Sequence, residues 1–303
     1  MKKVARIIFL LILLILIFIY SKEISENIIS SIDIWKNNLF PSLFPFIIIS
    51  KILINYGFIS FISNIFYNIM LKVFFINPNT SFIFIMSMIS GFPSSAKYTK
   101  ELLDKNIINE NEANRIILFS HFANPAFILI ALNNNYFNNY KITLLILFSH
   151  YFTNIIIGLI TKNEKPIVNK NYCKLESKPF SIVLSEAIKD ALSTLFLILG
   201  TLVTYSIIIT IFNEIPIDIY YKSILTGFIE LTNGLKSISI LNISLRLKAS
   251  LMTMILSFGG LAIHTQVISI VKINYPVYLK YRFFHAFISF IITYFLFNLI
   301  YLQ

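Results

Sequence analysis

Four short stretches of this sequence set polar, ionisable or helix-breaking residues inside apolar runs. The first is Ser90-Gly-Phe-Pro-Ser-Ser-Ala-Lys97. Gly91 and Pro93 stop an apolar segment, and Ser94 or Ser95 can cap a new helix that carries Lys97 in its first turn. The free N–H groups and positive dipole end of such a helix, with an ammonium beside them, suit a bound anion. The same residues also suit an interfacial turn from which Lys97 reaches water. The second stretch is His121-Phe-Ala-Asn-Pro125. Pro125 removes the hydrogen bond to the carbonyl of His121, so His121, Asn124 and a freed carbonyl share one broken helix running from Asn109 toward Leu132. The third is Gly227-Phe-Ile-Glu-Leu-Thr-Asn-Gly234, with Glu230 bracketed by glycines and followed by Thr232 and Asn233. Glu230 could carry a coupling proton, pair with Lys97 or a histidine, or lie among lipid headgroups at a segment end. The fourth is Ser257-Phe-Gly-Gly-Leu-Ala-Ile-His-Thr-Gln266, where Gly259 and Gly260 permit a break and His264 and Gln266 add donors and acceptors. Polar groups in apolar spans are costly and mark functional sites by default.

The elements that must position these residues are membrane helices. Apolar residues are 57% of the 303-residue chain, charged residues 13%, and mean hydropathy is +0.78. A soluble globule would have too little charge to cover its surface, and disorder needs the opposite composition. The expectation is an all-α polytopic membrane protein with about 8–10 apolar segments, several near the ~20 residues that cross a bilayer. The formal charge of +11 lies in short polar breaks between apolar runs, which fits the positive-inside rule and excludes a nucleic-acid face. The partners expected are the lipid bilayer and a small solute.

Segments such as Ser81–Phe92 and Ile217–Leu231 are too short to cross. Short, interrupted segments at matching places in two halves point to a transporter site. The halves do align: Ser87–Phe92 with Ser223–Phe228 at an offset of 136, Phe119-Ser120 with Leu256-Ser257 at 137, and His150 with His285 at 135. The division expected is an N-terminal anchor helix and amphipathic connector over 1–38, a first membrane repeat over 39–160, a cytoplasmic Lys-rich linker over 161–180 and a second repeat over 181–303. Lys2, Lys3 and Arg6 ahead of Ile7–Tyr20 place the N-terminus in the cytoplasm, and the bulky exit of that run reads as a retained anchor. His150 and His285 read as packing or interfacial residues. Cys173 is the only cysteine and has no assigned role. No His-Glu-x-x-His, Gly-x-Ser-x-Gly or phosphate-binding loop is present, which argues against an enzyme, and no cofactor or metal is expected.

The four motifs in this order resemble the YlbJ family of sporulation integral membrane proteins from endospore-forming Firmicutes. The membrane region of that family is similar to the Gate, or nucleoside-recognition, domain related to concentrative nucleoside transporters. The likeness runs from about Leu39 to Leu302, with Ser95 standing where the family usually has glycine. It implies an inverted-repeat transporter fold with broken or re-entrant helices in the cell membrane or outer forespore membrane. It also implies alternating-access transport of a small anion, with dipicolinate the substrate suggested for the family. The Gly-Phe-Pro loop with Lys97, the Asn124-Pro125 break, Glu230 with Asn233, and His264 with Gln266 would line the path. A nucleoside-like solute, or a non-transporting scaffold of spore assembly acting as a homo-oligomer or with other sporulation membrane proteins, are the alternatives.

Overall fold

Several helices end here at a glycine or proline that cannot continue them, among them those at Gly57, Gly91 and Gly259. A computed structural model describes residues 2–162 and 178–301, and all regular structure among them is helical. The N-terminal part holds α1 (Lys2–Ile19), α2 (Ser21–Ile34), a π-helical turn (Trp35–Leu39) and α3 (Phe40–Asn55). Gly57, at φ +82°, turns the chain into α4 (Phe58–Asn68), which a π-helical turn extends to Phe74. There follow α5 (Thr80–Ser90), α6 (Ser94–Asp104), α7 (Glu110–Phe119), a π-helical segment (Phe127–Phe137) and α8 (Tyr140–Ile160). Beyond the linker come α9 (Phe180–Asn213), α10 (Ile219–Ile229), α11 (Leu231–Ser239), α12 (Leu245–Phe258), α13 (Gly260–Ile270) and α14 (Tyr275–Tyr301). Most of the expected linker, with Cys173, lies outside the described residues.

Among the described residues, five helical stretches are long and apolar enough to cross a membrane: Ser21–Asn55, Tyr140–Ile160, Phe180–Asn213, Leu245–Ile270 and Tyr275–Leu299. The outer surface fits lipid, since large side chains such as Phe18, Phe196, Phe287 and Phe295 stand exposed around the molecule. At 1.5 Å per residue the 34-residue α9 is about 50 Å long, more than the ~30 Å of hydrocarbon, so it tilts or projects. It carries α2 and α3 on its flank, where Trp35 Nε1 donates to Leu195 O (2.9 Å) and Asn27 Nδ2 to Thr210 Oγ1 (2.7 Å).

The two halves carry the same succession of elements. A helix, a break and a helix (α5–α6, then α10–α11) precede a second interrupted pair (α7 with Phe127–Phe137, then α12–α13) and one uninterrupted helix (α8, then α14). The capping box expected at Asn109 is present: Glu112 N donates to Asn109 Oδ1, and Asn109 N to Glu112, both at 2.9 Å. The helix it starts is shorter than expected, ending at Phe119 rather than running through His121. Helices α10 and α11 cross with backbone on backbone, for a Cβ on Gly234 would lie 2.0 Å from Gly227 Cα. Gly234→Ala is therefore expected to lower the unfolding free energy by about 3 kcal/mol or more. Gly200→Ala, where no atom lies within 4 Å of the added carbon, should leave thermal unfolding in detergent unchanged or slightly improved. Equal melting of the two variants would show that the crossing tolerates a methyl group.

Candidate functional site

Each break frees backbone groups, and several of those groups are met by a partner from elsewhere in the chain. At the first break Gly91 (φ +76°) and the cis Phe92–Pro93 bond end α5. At the second the chain is non-helical from Ser120 to Asn124, and Pro125 opens the next helical stretch. Three carbonyls released there find donors: Asn154 Nδ2 on His121 O (2.7 Å), Phe92 N on Phe122 O (2.7 Å) and Tyr151 Oη on Ala123 O (3.0 Å). Asn124 ties the two breaks together. Its Oδ1 accepts from Ala126 N (2.7 Å) and Phe127 N (3.3 Å), capping the segment beyond Pro125. Its Nδ2 reaches the carbonyls of Ser42, Ile89 and Ser90 at 3.2–3.4 Å.

The third break is at Glu230, whose extended backbone (φ −144°, ψ 127°) separates α10 from α11. The carboxylate turns back onto the start of α11 and accepts four bonds, from Thr232 N (2.9 Å), Thr232 Oγ1 (2.7 Å), Asn233 N (2.8 Å) and Asn233 Nδ2 (2.9 Å). It pairs with neither Lys97 nor a histidine. A carboxylate at a helix N-terminus is favoured by the dipole as well as by these donors. The fourth break is Gly259-Gly260, both at positive φ (+89° and +70°). The breaks also touch one another. A Cβ on Gly91 would lie 2.5 Å from Asn124 N, one on Gly259 2.6 Å from His121 Nε2, and one on Gly260 3.0 Å from Leu231 N.

Where they meet there is a cavity of about 60 Å³, lined by residues of all four breaks: Phe92, Ala123 and Asn124, Glu230 to Thr232, and Ala262, Ile263 and Gln266. Helices α3 and α9 close it with Ser42, Leu43, Ile198 and Leu202. Gln266 Nε2 donates to Thr201 Oγ1 (2.6 Å) at its edge. Its walls are mostly apolar, and no Lys, Arg or His lines it. The volume holds a few waters at roughly 10–15 Å³ each. A metabolite would require the walls to part.

Of the residues singled out from sequence, Asn124, Glu230, Thr232 and Gln266 line this cavity. Others stand elsewhere. Ser94 and Ser95 cap nothing: α6 begins at Ser94 with Pro93 as its cap residue, and no side chain bonds its first amides. Lys97 points away, donating to Asp190 O and Thr194 Oγ1 (2.9 Å each) in an ionic group with Lys51, Glu101 and Lys105. Docking of α9 turns it there. Thr194 is one helical turn from the cavity-lining Ile198, so this group sits beside the cavity's flank. Gly91, Pro93, Pro125, Asn233, Gly259 and Gly260 shape the breaks without lining the cavity.

The histidines form a separate buried group. All four in the chain gather where α7, α8, α12, α13 and α14 meet, and each is at most 1% exposed. His150 Nε2 accepts from Ala123 N, which leaves its proton on Nδ1 facing Ser257 Oγ (both 2.9 Å). His285 Nδ1 faces Arg282 (3.0 Å) and its Nε2–H donates to His150 O (2.9 Å). His264 donates from Nε2 to Phe258 O (2.9 Å), and His121 Nδ1 lies 3.1 Å from Tyr278 Oη. His150 and His285 are thus packing residues deep inside, not interfacial ones. Arg282, fully buried, donates to Leu118 O and lies over the Tyr278 ring. Sequence reasoning missed Arg282, Asn154, Tyr151 and Ser42. Arg282 carried a signal, being one of only four arginines and three residues ahead of His285 in an apolar helix.

Fold and site together define a polytopic helical membrane protein whose interrupted helices meet around one central cavity. No family model matches the chain, and no solved structure matches it. The sporulation integral membrane protein YlbJ of Bacillus subtilis (strain 168) is 25% identical to it over 282 residues, spanning 80% of this chain and 69% of that protein. This similarity supports a sporulation membrane protein of the YlbJ kind. For the site itself, Asn124→Ala removes a cap and three carbonyl partners and is expected to lower the unfolding free energy by about 2–3 kcal/mol. Denaturant unfolding in micelles within about 0.5 kcal/mol of wild type would show that these bonds do not hold the breaks together.

Proposed function

We propose that this protein is a secondary carrier of endospore formation. It moves a small flat acid, with dipicolinate the candidate, across a membrane around the forespore by alternating access. The observation that carries this reading is the cavity lined by all four breaks. Interrupted helices near the bilayer midplane, drawn from two halves with the same succession of elements, are the arrangement in which carriers hold a solute. The halves act as inverted repeats of the Gate kind, rocking about the site. The charge of Glu230 does not repel an acid as a free carboxylate would, because four donors and the dipole of α11 already offset it. At the flank, Lys51, Lys97 and Lys105 outnumber their partners Glu101 and Asp190, and the excess positive charge favours anions on the approach.

One observation favours a second reading. A cavity with apolar walls, a few amide and hydroxyl groups and no lining cation suits a neutral, nucleoside-like solute. Uptake into vesicles holding the purified chain separates the two, with labelled dipicolinate and labelled uridine offered in parallel. Dipicolinate uptake that falls at least tenfold in Gln266→Leu, with melting unchanged, is the expected outcome. Uridine uptake with the same dependence on Gln266 would replace the substrate. Uptake of neither would leave a scaffold role in spore assembly.

A further inference from the structure

A second cavity lies behind the helix breaks, away from the central one. It is larger, about 420 Å³, and is walled by the start of α7, the end of α8 and the start of α14. It opens where the chain leaves α8 for the Lys-rich segment. Its polar lining includes Arg115, Lys162, Asn111, Asn274, Tyr278 and Tyr281. No Asp or Glu is among the described residues that line it.

Among the described residues, the cations around it have no acidic partner. Arg115 is 6% exposed and donates to the carbonyls of Phe74 and Phe75, while its Nε is buried with no partner. Beneath the floor, formed by Leu118 and Tyr278, lies Arg282. Its guanidinium donates to Leu118 O and sits 5.2 Å from the Tyr278 ring, and its Nε is buried without a partner too. Among the described residues, neither arginine has a carboxylate within ion-pair distance. Two guanidinium groups buried without a counter-charge are costly unless a mobile anion supplies one. The cavity is also separated from the central one by a thin wall. Phe92, which lines the central cavity, stacks on His121 (4.8 Å), and His121 meets Tyr278, which lines the second cavity.

We infer that this vestibule binds a small carboxylate-bearing anion. Arg115 and Lys162 contact it, and Arg282 supplies a fixed charge below. As an entry station ahead of the Phe92–His121–Tyr278 wall, its purpose rests on the carrier reading, although its binding does not. The test is calorimetry on the full chain in detergent, titrated with pyridine-2,6-dicarboxylate and with the uncharged pyridine-2,6-dicarboxamide. Lys162→Gln and Asn111→Asp, both at exposed positions, change the charge of the vestibule without touching its buried walls. The dicarboxylate should bind, the diamide should not, and each variant should weaken binding about tenfold. Absence of dicarboxylate binding, equal binding of the diamide, or the same affinity in both variants would overturn the inference. Uptake that persists without vestibule binding sinks this inference alone. Binding without uptake leaves the vestibule standing and removes the carrier reading.

Discussion

A backbone amide or carbonyl left open in hydrocarbon must find a partner inside the protein, and here that requirement arises four times. Each helix break exposes groups that a continuous helix would have paired. The solution is mutual. Phe92 N of the first break bonds Phe122 O of the second, Asn124 of the second bonds carbonyls of the first, and Glu230 pairs the open amides of α11. Because the first two breaks satisfy one another, they have to be adjacent. The third and fourth pack against them and each other, and only glycine permits that close approach at 91, 259 and 260. The central cavity is the space left where four such ends cannot fill the middle.

That dependence explains what could be read from the sequence. Gly91, Pro93, Pro125, Gly259 and Gly260 act locally, through backbone geometry and a missing N–H, so the break positions were legible from residue type alone. The capping box at Asn109 was legible for the same reason. What Glu230 does was not, since its spacing fits a coupling acid as well as a cap, and only the fold of α11 back onto it decides. The direction of Lys97 was hidden too. Its position in the first turn of α6 is local, but the choice between an open helix end and Asp190 depends on α9, 93 residues further along the chain. The partners of the freed carbonyls, Asn154 and Tyr151, sit in α8 with no pattern to single them out.

The polar interior divides into two kinds of chemistry. Around the central cavity, amide, hydroxyl and capped carboxylate groups are paired and no cation intrudes. On the other side of His121, the histidines and Arg282 bind the first half to the second: His150 to Ser257, His285 to the His150 carbonyl, Arg282 to the Leu118 carbonyl. Most of these bonds join a side chain to a backbone carbonyl or hydroxyl rather than to an opposite charge. Such contacts hold register between helices without fixing a net charge in the membrane.

This arrangement bears on how the cavity could open. The wall between the two cavities is one residue thick at His121, and His121 is the least anchored of the histidines. Its Nε2 has no partner, and its ring is held by Phe92 on one face and by the single bond to Tyr278. Its neighbours His150 and His285 each have both ring nitrogens engaged. A displacement that parts the central cavity would therefore meet least resistance at His121, where one hydrogen bond and one stacked ring give way. It would meet most at the His150–His285 stack, where several bonds between the halves would have to break together. On the carrier reading proposed above, the histidine core would serve as the fixed pivot and the Phe92–His121–Tyr278 wall as the part that yields.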